Sequence, residues 1–364
     1  MLSAPERGYL GIADITGYTA YLAGTELDHA QDVLADLMGT VVAALRPMLR
    51  LAKLEGDAAF VCAPTGGING SMLLDTVEQC YFAFRRRVRD IRRATTCECN
   101  ACVQVPTLDL KLLAHEGEFV RQRVAGREEF VGPDVILVHR LLKNHVEDAL
   151  GLRGYALFTE PCLRAAQLEA ARLGLRAHAE KYEHIGEVRG YVHDLHARWA
   201  EEQDRRRVYV GPVGAVSELT FDLNFPLAVV WDYLTDPNKR ARYGRAAGID
   251  GIREVSPKGR RGTGTTNHCA HGQETVIEEI LDWRPFDYFT VRFSLGFSIE
   301  ETVELVQHEG GTRVVLRQRI PRGKRAREGW ARTSGAYVEM MQRLFAALAQ
   351  TLADDVPAPD RESP

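Results

Sequence analysis

The N-terminal half of the chain alternates short apolar runs with longer stretches of helical periodicity. Residues 8–14 form an apolar run that predicts a strand. Residues 28–46 and 71–94 carry apolar side chains every three or four positions, which predicts two amphipathic helices. Between these helices, residues 49–64 contain two apolar runs around a Glu-Gly-Asp turn, which is typical of a β-hairpin.

The pattern continues with a strand over 108–119 and a loop that enters a helix over 127–144. Residues 154–195 predict a further helix and a closing strand, GEVRGYVHDL. The resulting order is β-α-β-β-α-β, which is a ferredoxin-like core with additions. We therefore expect one α+β domain over residues 1–200.

The pattern changes after residues 201–215, a charged and then Gly/Pro-bearing stretch that suits an interdomain linker. Residues 216–224 predict a strand, 225–236 a short helix, and 249–319 a series of strands. The C-terminal stretch is predicted as a solvated basic loop over 321–332, a long helix over 333–353 and a polar tail over 354–364. A second domain, an antiparallel sheet wrapped round one helix, is expected over 216–353.

Composition restricts the classes of partner. The chain has 364 residues and a formal net charge of -4, so it lacks the basic surface that nucleic-acid binding requires. No window approaches the roughly 18 uninterrupted apolar residues of a membrane span. We expect a cytoplasmic protein. In such a chain the seven cysteines, an odd number, are expected to be thiols or metal ligands and not disulfides.

Two acidic residues in the N-terminal domain suggest a cation site. Asp14 ends the first strand, and Asp57 lies in the turn of the hairpin. If these strands are neighbours, the two carboxylates repel unless a cation lies between them. Magnesium is held by one or two carboxylates together with substrate phosphates, and the Thr16-Gly17 turn would let the backbone approach a phosphate.

The motifs DITGYT (14–19) and KLEGD (53–57), in this strand order, resemble those of the class III nucleotidyl cyclases. The resemblance extends over residues 8–196. It implies a two-ion site for Mg or Mn that catalyses attack of the ribose 3′-hydroxyl on the α-phosphate. By the same resemblance, Asp14, Asp57 and the carbonyl of Ile15 match metal ligands, and Lys53 matches the residue that recognises adenine.

The third motif of these cyclases aligns with residues 129–140. Glu129 then matches the base-reading acid and Arg140 the arginine that stabilises the transition state. Ile136, however, replaces the asparagine that orients the ribose, and an apolar side chain offers the sugar no hydrogen bond. The sequence is therefore compatible with two alternative functions, a slow adenylate cyclase and a catalytically inactive nucleotide-binding module.

The resemblance also implies a homodimer, because class III sites form between two such domains and this chain contains one. ATP is the favoured purine nucleotide. Cys97, Cys99 and Cys102 are a separate feature, since three thiols at C-x-C-x-x-C spacing can surround a soft metal ion. Zinc and an iron–sulfur cluster are the alternatives, and the fourth ligand is not identified.

Residues 216–353 resemble the START-related, Bet v 1-like helix-grip family through SELTFDLNFPLAVVWDYLTDP, LDWRPFDYFTVRF and the long final helix. This resemblance implies a cavity for a lipid, a polyketide or another hydrophobic molecule, which the protein could bind or transform. Candidate wall residues are Phe293, Phe297, Trp283 and Tyr337, and weak candidates for an acid or base are Asp282, His268 and Glu300. If NHCAHG (267–272) is a regular strand, only Cys269 and His271 lie on the same face, which is too few ligands for a structural metal site.

Overall fold

The computed structural model describes residues 4–94, 97 and 99–356, which divide into two compact units at residues 205 and 206. The elements of the first unit are β1 (Glu6–Thr16), α1 (Tyr18–Ala23), α2 (Leu27–Leu45), β2 (Arg50–Glu55), β3 (Ala58–Pro64), α3 (Gly70–Ala94), α4 (Asn100–Gln104), β4 (Asp109–Val124), β5 (Arg127–Val131), α5 (Pro133–Arg140), α6 (Val146–Leu150), β6 (Tyr155–Thr159), α7 (Glu160–Ala165), β7 (Arg176–Tyr182), β8 (Gly186–Asp194) and α8 (Leu195–Asp204).

The strands of this unit form one sheet in the order β2-β3-β1-β4-β6-β8-β7, with β5 paired to the far end of β4. All these pairings are antiparallel except that of β4 with β6. The predicted hairpin over 49–64 and the pairing of its second strand with the first strand are confirmed.

The two faces of this sheet follow from strand alternation. Leu10 and Ile12 of β1 pack with Phe60 of β3 and with Val135 and Val138 of α5. The side chains between them on β1 point to the opposite face. Asp14 therefore follows Leu10 and Ile12 on the face that α5 covers, at the end of the strand.

The second unit contains β9 (Ser217–Leu223), α9 (Leu227–Thr235), α10 (Pro237–Gly244), β10 (Gly251–Val255), β11 (Thr266–His271), β12 (Glu274–Arg284), β13 (Tyr288–Ser294), β14 (Ser298–His308), β15 (Gly311–Arg319) and α11 (Lys324–Asp355). The strands form an antiparallel sheet in the order β10-β11-β12-β13-β14-β15-β9. The stacked rings of Phe221 and Phe345, 4.0 Å apart, join β9 to α11. The predicted α+β fold class is confirmed.

Several elements differ from the prediction. β5 lies where a loop was expected, and residues 154–195 contain three strands and a short helix instead of one helix and one strand. α11 begins at Lys324, so most of the basic run over 321–332 is helical and not a loop. Lys, Arg, Ala and Glu are strong helix formers, and Trp330 within the run is buried. The stretch predicted as a linker begins inside α8, and Val208 and Val210 of the same stretch donate backbone hydrogen bonds to the second unit's sheet.

Candidate functional site

Asp14 lies where the pairing of β1 with β3 ends, between two partner strands. It is opposite Ala58 on β3 and Lys111 on β4. The ammonium of Lys111 lies 3.1 Å from Asp14 Oδ2 and also donates to the carbonyl of Leu142 at 3.1 Å. Both side chains of this ion pair are less than one fifth exposed. Asp14 therefore has a cationic partner from its own chain, which the sequence did not reveal.

Asp57 joins this cluster from the β2–β3 turn. The backbone N–H of Ile15 donates to the carbonyl of Asp57 at 3.1 Å, which ties the turn to the end of β1. Gly56 adopts a positive φ of 66°, which favours glycine in this short turn. Burial raises the pKa of the Asp57 carboxyl, and the charge of Asp14 raises it further. The structure thus brings together the two carboxylates that the sequence proposed as metal ligands.

The chain beyond Asp14 turns sharply at Gly17, whose φ is 91°. A positive φ favours glycine here, and a Cβ at this position would lie 3.1 Å from Nη2 of Arg153, a tight approach to this guanidinium. The hydroxyl of Thr16 donates to the carbonyl of Arg153 at 3.4 Å. Arg153, which the sequence analysis missed, places a second cationic group beside the Thr16-Gly17 turn.

Lys53 of β2 and Glu129 of β5 meet although these two strands are not paired with each other, with Nζ and Oε2 3.5 Å apart. Both side chains are partly exposed. Phe130 secures β5 by packing between Phe60 and Phe119, with ring centroids 5.6 and 5.2 Å away. The two residues predicted to read the base are therefore neighbours in one chain.

Helix α5 presents Ile136 and Arg140 one turn apart on its exposed side, since residues at i and i+4 share a face. Ile136 is 57% exposed, which is unusual for isoleucine. Nε2 of His139, on the same helix, lies 3.0 Å from Glu55 Oε2 and donates to it, which connects α5 to the hairpin that holds Asp57.

The cysteine cluster has a fourth member that the sequence analysis missed. Cys97, Cys99 and Cys102 lie beside His29 of α2, and one ligand atom from each of the four residues lies within 4.8 Å of the others. His29 Nδ1 is 3.2 Å from Cys99 Sγ and 3.7 Å from Cys97 Sγ. This set can hold a metal ion.

Local hydrogen bonds favour a thiolate at Cys99. The backbone N–H of Cys102 donates to Cys99 Sγ at 3.4 Å. This hydrogen bond is the main cause that lowers the pKa of Cys99 to about 7. Cys80 is not part of this cluster: it is buried in α3, and its thiol donates to the carbonyl of Val41 at 3.8 Å. Its pKa is raised by burial.

The second unit contains a buried polar cluster centred on Glu301 of β14. Tyr337 of α11 donates its hydroxyl to the Glu301 carboxylate, and Gln318 of β15 donates to the same oxygen at 2.6 Å. Burial raises the pKa of Glu301 to about 7. Nearby, Arg240 and the partly buried Glu278 form a bidentate ion pair at 2.9 and 3.0 Å.

The acid and base candidates named from the sequence have structural partners. Asp282 is fully buried and accepts from the N–H of Val208 and the hydroxyl of Tyr288, both at 2.9 Å. Glu300 pairs with Arg292 and Arg319. Among the described residues, His268 belongs to no group of three or more convergent metal ligands.

The candidate wall residues are divided between two packing clusters. Trp283 packs against Trp231 at 4.9 Å and Phe289 at 5.9 Å between ring centroids. Phe293 is stacked against Tyr337 at 6.4 Å, beside the Glu301 cluster. The Glu301 cluster, which the sequence analysis did not find, is the one in contact with α11.

Comparison with known proteins gives a relative and two family models. Residues 34–149 match a model described as a protein of unknown function (DUF2652), and residues 215–356 match one described as polyketide cyclase / dehydrase and lipid transport. The uncharacterized protein Rv2561/Rv2562 of Mycobacterium tuberculosis is 38% identical over 162 residues, which are 44% of this chain and 73% of that protein.

Class III cyclase structures match the N-terminal half. The guanylyl cyclase Cya2 is 13% identical over 53% of this chain and 93% of its own, with a TM-score of 0.38. The guanylate cyclase domain of RhGC from Catenaria anguillulae, solved in complex with GTP, is 13% identical over 52% of this chain and 97% of its own, with a TM-score of 0.37. Within the described part of the chain, every helix is too short or too polar to cross a membrane.

Proposed function

The chain belongs to the family of the uncharacterized Mycobacterium tuberculosis protein Rv2561/Rv2562, and we propose that its N-terminal unit binds a purine nucleoside triphosphate with a divalent cation. The observation that carries the proposal is the meeting of Asp14 and Asp57 at one end of the sheet, beside the Gly17 turn. Two carboxylates in a partly desolvated place favour a hard cation.

The donor chemistry of this place fits Mg²⁺ or Mn²⁺. Asp14 and Asp57 supply carboxylate oxygens, and Ile15, whose carbonyl is the third candidate ligand, directly follows Asp14 on β1. When bound, the cation would neutralise the phosphate oxygens and polarise the phosphorus. Lys111 holds Asp14 in the absence of the cation, and it is placed to turn toward a phosphate when the cation takes over that carboxylate.

The Lys53–Glu129 pair supports recognition of a purine. An ammonium donates only, and a carboxylate accepts only, so together they complement a base edge that carries both an acceptor and an exocyclic amine. Adenine presents that combination at its N1 and N6 atoms. Because both side chains are partly exposed, they can reach a base without unfolding of the strands that hold them.

Arg140 and Ile136 suit binding better than efficient cyclisation. Arg140 offers five donors to phosphate oxygens from the exposed side of α5. One turn earlier, Ile136 offers no hydrogen bond to a ribose hydroxyl, so the attacking oxygen is poorly oriented. We therefore propose that this unit binds the nucleotide and forms the cyclic product slowly.

Exposed apolar side chains support a complete site between two copies of the chain. Leu54, Val131 and Ile136 are each at least 45% exposed and lie on β2, β5 and α5, the elements that also carry Lys53, Glu129 and Arg140. Burial of such side chains would stabilise a dimer. In the proposed homodimer, Asp14 and Asp57 of one copy would face the base-reading pair of the other.

ATP binding with and without Mg²⁺ tests the proposal. We expect the Asp57→Asn variant to bind Mg²⁺-ATP about 10- to 100-fold more weakly, since it loses one charged ligand oxygen. Isothermal titration calorimetry measures this change, and Asp204→Asn in the exposed end of α8 is the matched control. ATP binding that is independent of Mg²⁺, or unchanged in Asp57→Asn, would contradict the proposal.

A second candidate function belongs to the C-terminal unit, which matches a family described as polyketide cyclase / dehydrase and lipid transport. Gln318 Oε1 and Asn267 Oδ1 are buried and have no hydrogen-bond partner among the residues that the structure describes. A buried acceptor that lacks a donor is unfavourable by about 1–3 kcal/mol. The two oxygens favour a ligand that brings hydroxyl groups on an apolar frame, with the Glu301–Tyr337 pair beside it.

Binding of a fluorescent fused-ring phenol, 2-naphthol, tests this function. We expect Gln318→Leu to weaken binding about three- to tenfold, because one hydrogen bond to a buried acceptor is lost. Fluorescence titration measures the affinity, with Gln342→Leu on the exposed side of α11 as the control. Equal affinity in both variants would exclude Gln318 as a ligand contact.

A further inference from the structure

His29 is distant in sequence from Cys97, Cys99 and Cys102, but the four side chains converge at one point. His29 lies in the first turns of α2, and Cys99 and Cys102 bracket the start of α4. We propose that these four side chains form a closed tetrahedral Zn²⁺ site that is separate from the proposed nucleotide site. Its four ligands include neither Asp14 nor Asp57, so it does not rest on the proposed function.

The distances agree with such a site. Zinc bonds of about 2.3 Å to sulfur and about 2.0 Å to nitrogen, in a tetrahedron, place neighbouring ligand atoms roughly 3.5–3.8 Å apart. His29 Nδ1 lies 3.2 Å from Cys99 Sγ and 3.7 Å from Cys97 Sγ. No pair of the four ligand atoms is more than 4.8 Å apart. Small rotations of the side chains suffice to close the tetrahedron.

The chemistry of the ligands selects the metal. Three thiolates and one imidazole are soft or borderline donors, which exclude magnesium and calcium and favour zinc. A cubane iron–sulfur cluster is normally held by four cysteines. The other four cysteines of the chain, all described in the structure, are buried in other places: Cys62, Cys80, Cys162 and Cys269. Four protein ligands leave no open position, so the site is structural and not catalytic.

Neighbouring contacts hold the ligand-bearing elements in place. The carboxylate of Glu26, which precedes α2, accepts hydrogen bonds from the backbone N–H groups of Asn100 at 3.3 Å and Ala101 at 3.0 Å. The start of α2 is therefore already joined to α4 one turn before His29. The N–H of Cys102 also donates to Cys99 Sγ, an arrangement that stabilises a thiolate ligand. The proposed ion would close a loop of about 70 residues between His29 and Cys97.

Metal analysis of the purified full-length chain is the first test. We expect one zinc ion per chain by elemental analysis and native mass spectrometry. After the zinc is replaced by Co²⁺, we expect intense visible bands of tetrahedral cobalt and a sulfur-to-cobalt charge-transfer band in the ultraviolet. Three results would overturn the proposal. They are iron together with inorganic sulfide, an octahedral cobalt spectrum, and no bound metal in a sample of the chain that was kept reduced.

Substitutions identify the ligands. Loss of a residue that only hydrogen-bonds to a metal ligand weakens metal affinity by about 10- to 100-fold. Loss of a ligand itself should cost more, so we expect His29→Ala and Cys99→Ser each to weaken Co²⁺ affinity by more than about 100-fold. His184→Ala and Cys62→Ala, outside the cluster, are the controls and should bind as the wild type does. If a ligand variant fails to fold, alkylation of the thiols in the native wild type tests the site instead. Bound zinc should protect three cysteines from alkylation, and removal of the zinc by a chelator should make them reactive. Unchanged affinity in His29→Ala, or unprotected thiols in the zinc-loaded chain, would refute the site.

Discussion

Replacement of Ile136 by asparagine should increase the rate of cyclic nucleotide formation by about 100-fold. The reason is positional: an amide one turn before Arg140 can bind the ribose and orient its 3′-hydroxyl, whereas isoleucine cannot. Ile136 is 57% exposed, so the polar side chain replaces it without damage to the core. Mass spectrometry of the product, with ATP and either Mg²⁺ or Mn²⁺, measures the rate.

Two further variants separate orientation of the sugar from a general change in the surface. Ile136→Ala removes the same apolar side chain but adds no amide, and it should show none of the gain. Ile136→Asn combined with Asp57→Asn should lose the gain, because the cation ligand is missing. If Ile136→Asn and Ile136→Ala are equally slow, orientation of the ribose by position 136 is not what limits this chain.

Substitution of Lys111 by methionine should make the stability of the N-terminal unit depend on magnesium. In a chelator, we expect the free energy of unfolding to fall by roughly 3 kcal/mol, because removal of one partner leaves a largely buried charge uncompensated. Asp14 would lose its ammonium partner at 3.1 Å, and Asp57 beside it repels it further. Saturating Mg²⁺ should restore most of the loss if the two carboxylates bind it. Urea unfolding with and without Mg²⁺ measures the difference.

The matched control for this experiment is Lys143→Met, which changes an exposed lysine of the same unit. Its stability should respond to Mg²⁺ as the wild type does. A loss in Lys111→Met that Mg²⁺ does not reverse would mean that Lys111 is a permanent structural counter-ion and that Asp14 is unavailable to a cation. This outcome would be decisive even in a chain that forms no cyclic nucleotide.

The arrangement of the first unit could be predicted because its signals are local. The hairpin over 49–64 follows from two apolar runs and a Gly-Asp turn, and the helices over 28–46 and 71–94 follow from apolar periodicity. Strand order placed Asp57 beside Asp14, since the hairpin pairs with the first strand. Boundaries were less predictable: α11 begins nine residues before its predicted start, because charged helix formers look like a loop in the sequence.

The residues that were missed act across distant parts of the chain. Lys111 reaches Asp14 only because β4 pairs with β1, and Arg153 reaches Gly17 only through the loop before β6. In the sequence, His29 is one of several polar residues on the exposed face of a helix. Only the position of α4 beside α2 brings it to the three cysteines. No spacing rule within one segment connects these groups, so their partnership is a property of tertiary structure.

The 16 residues of β4 run from the proposed cation ligands toward β5, which carries the proposed base-reading residue Glu129. Lys111 lies near the beginning of the strand, and Gln122, eleven positions later, pairs with Glu129. β4 is continuous over this separation. One inserted or deleted residue within it would turn every later side chain to the wrong face. Length variation in this family should therefore be confined to the turns, such as residues 125–126, while β4 itself keeps a constant number of residues.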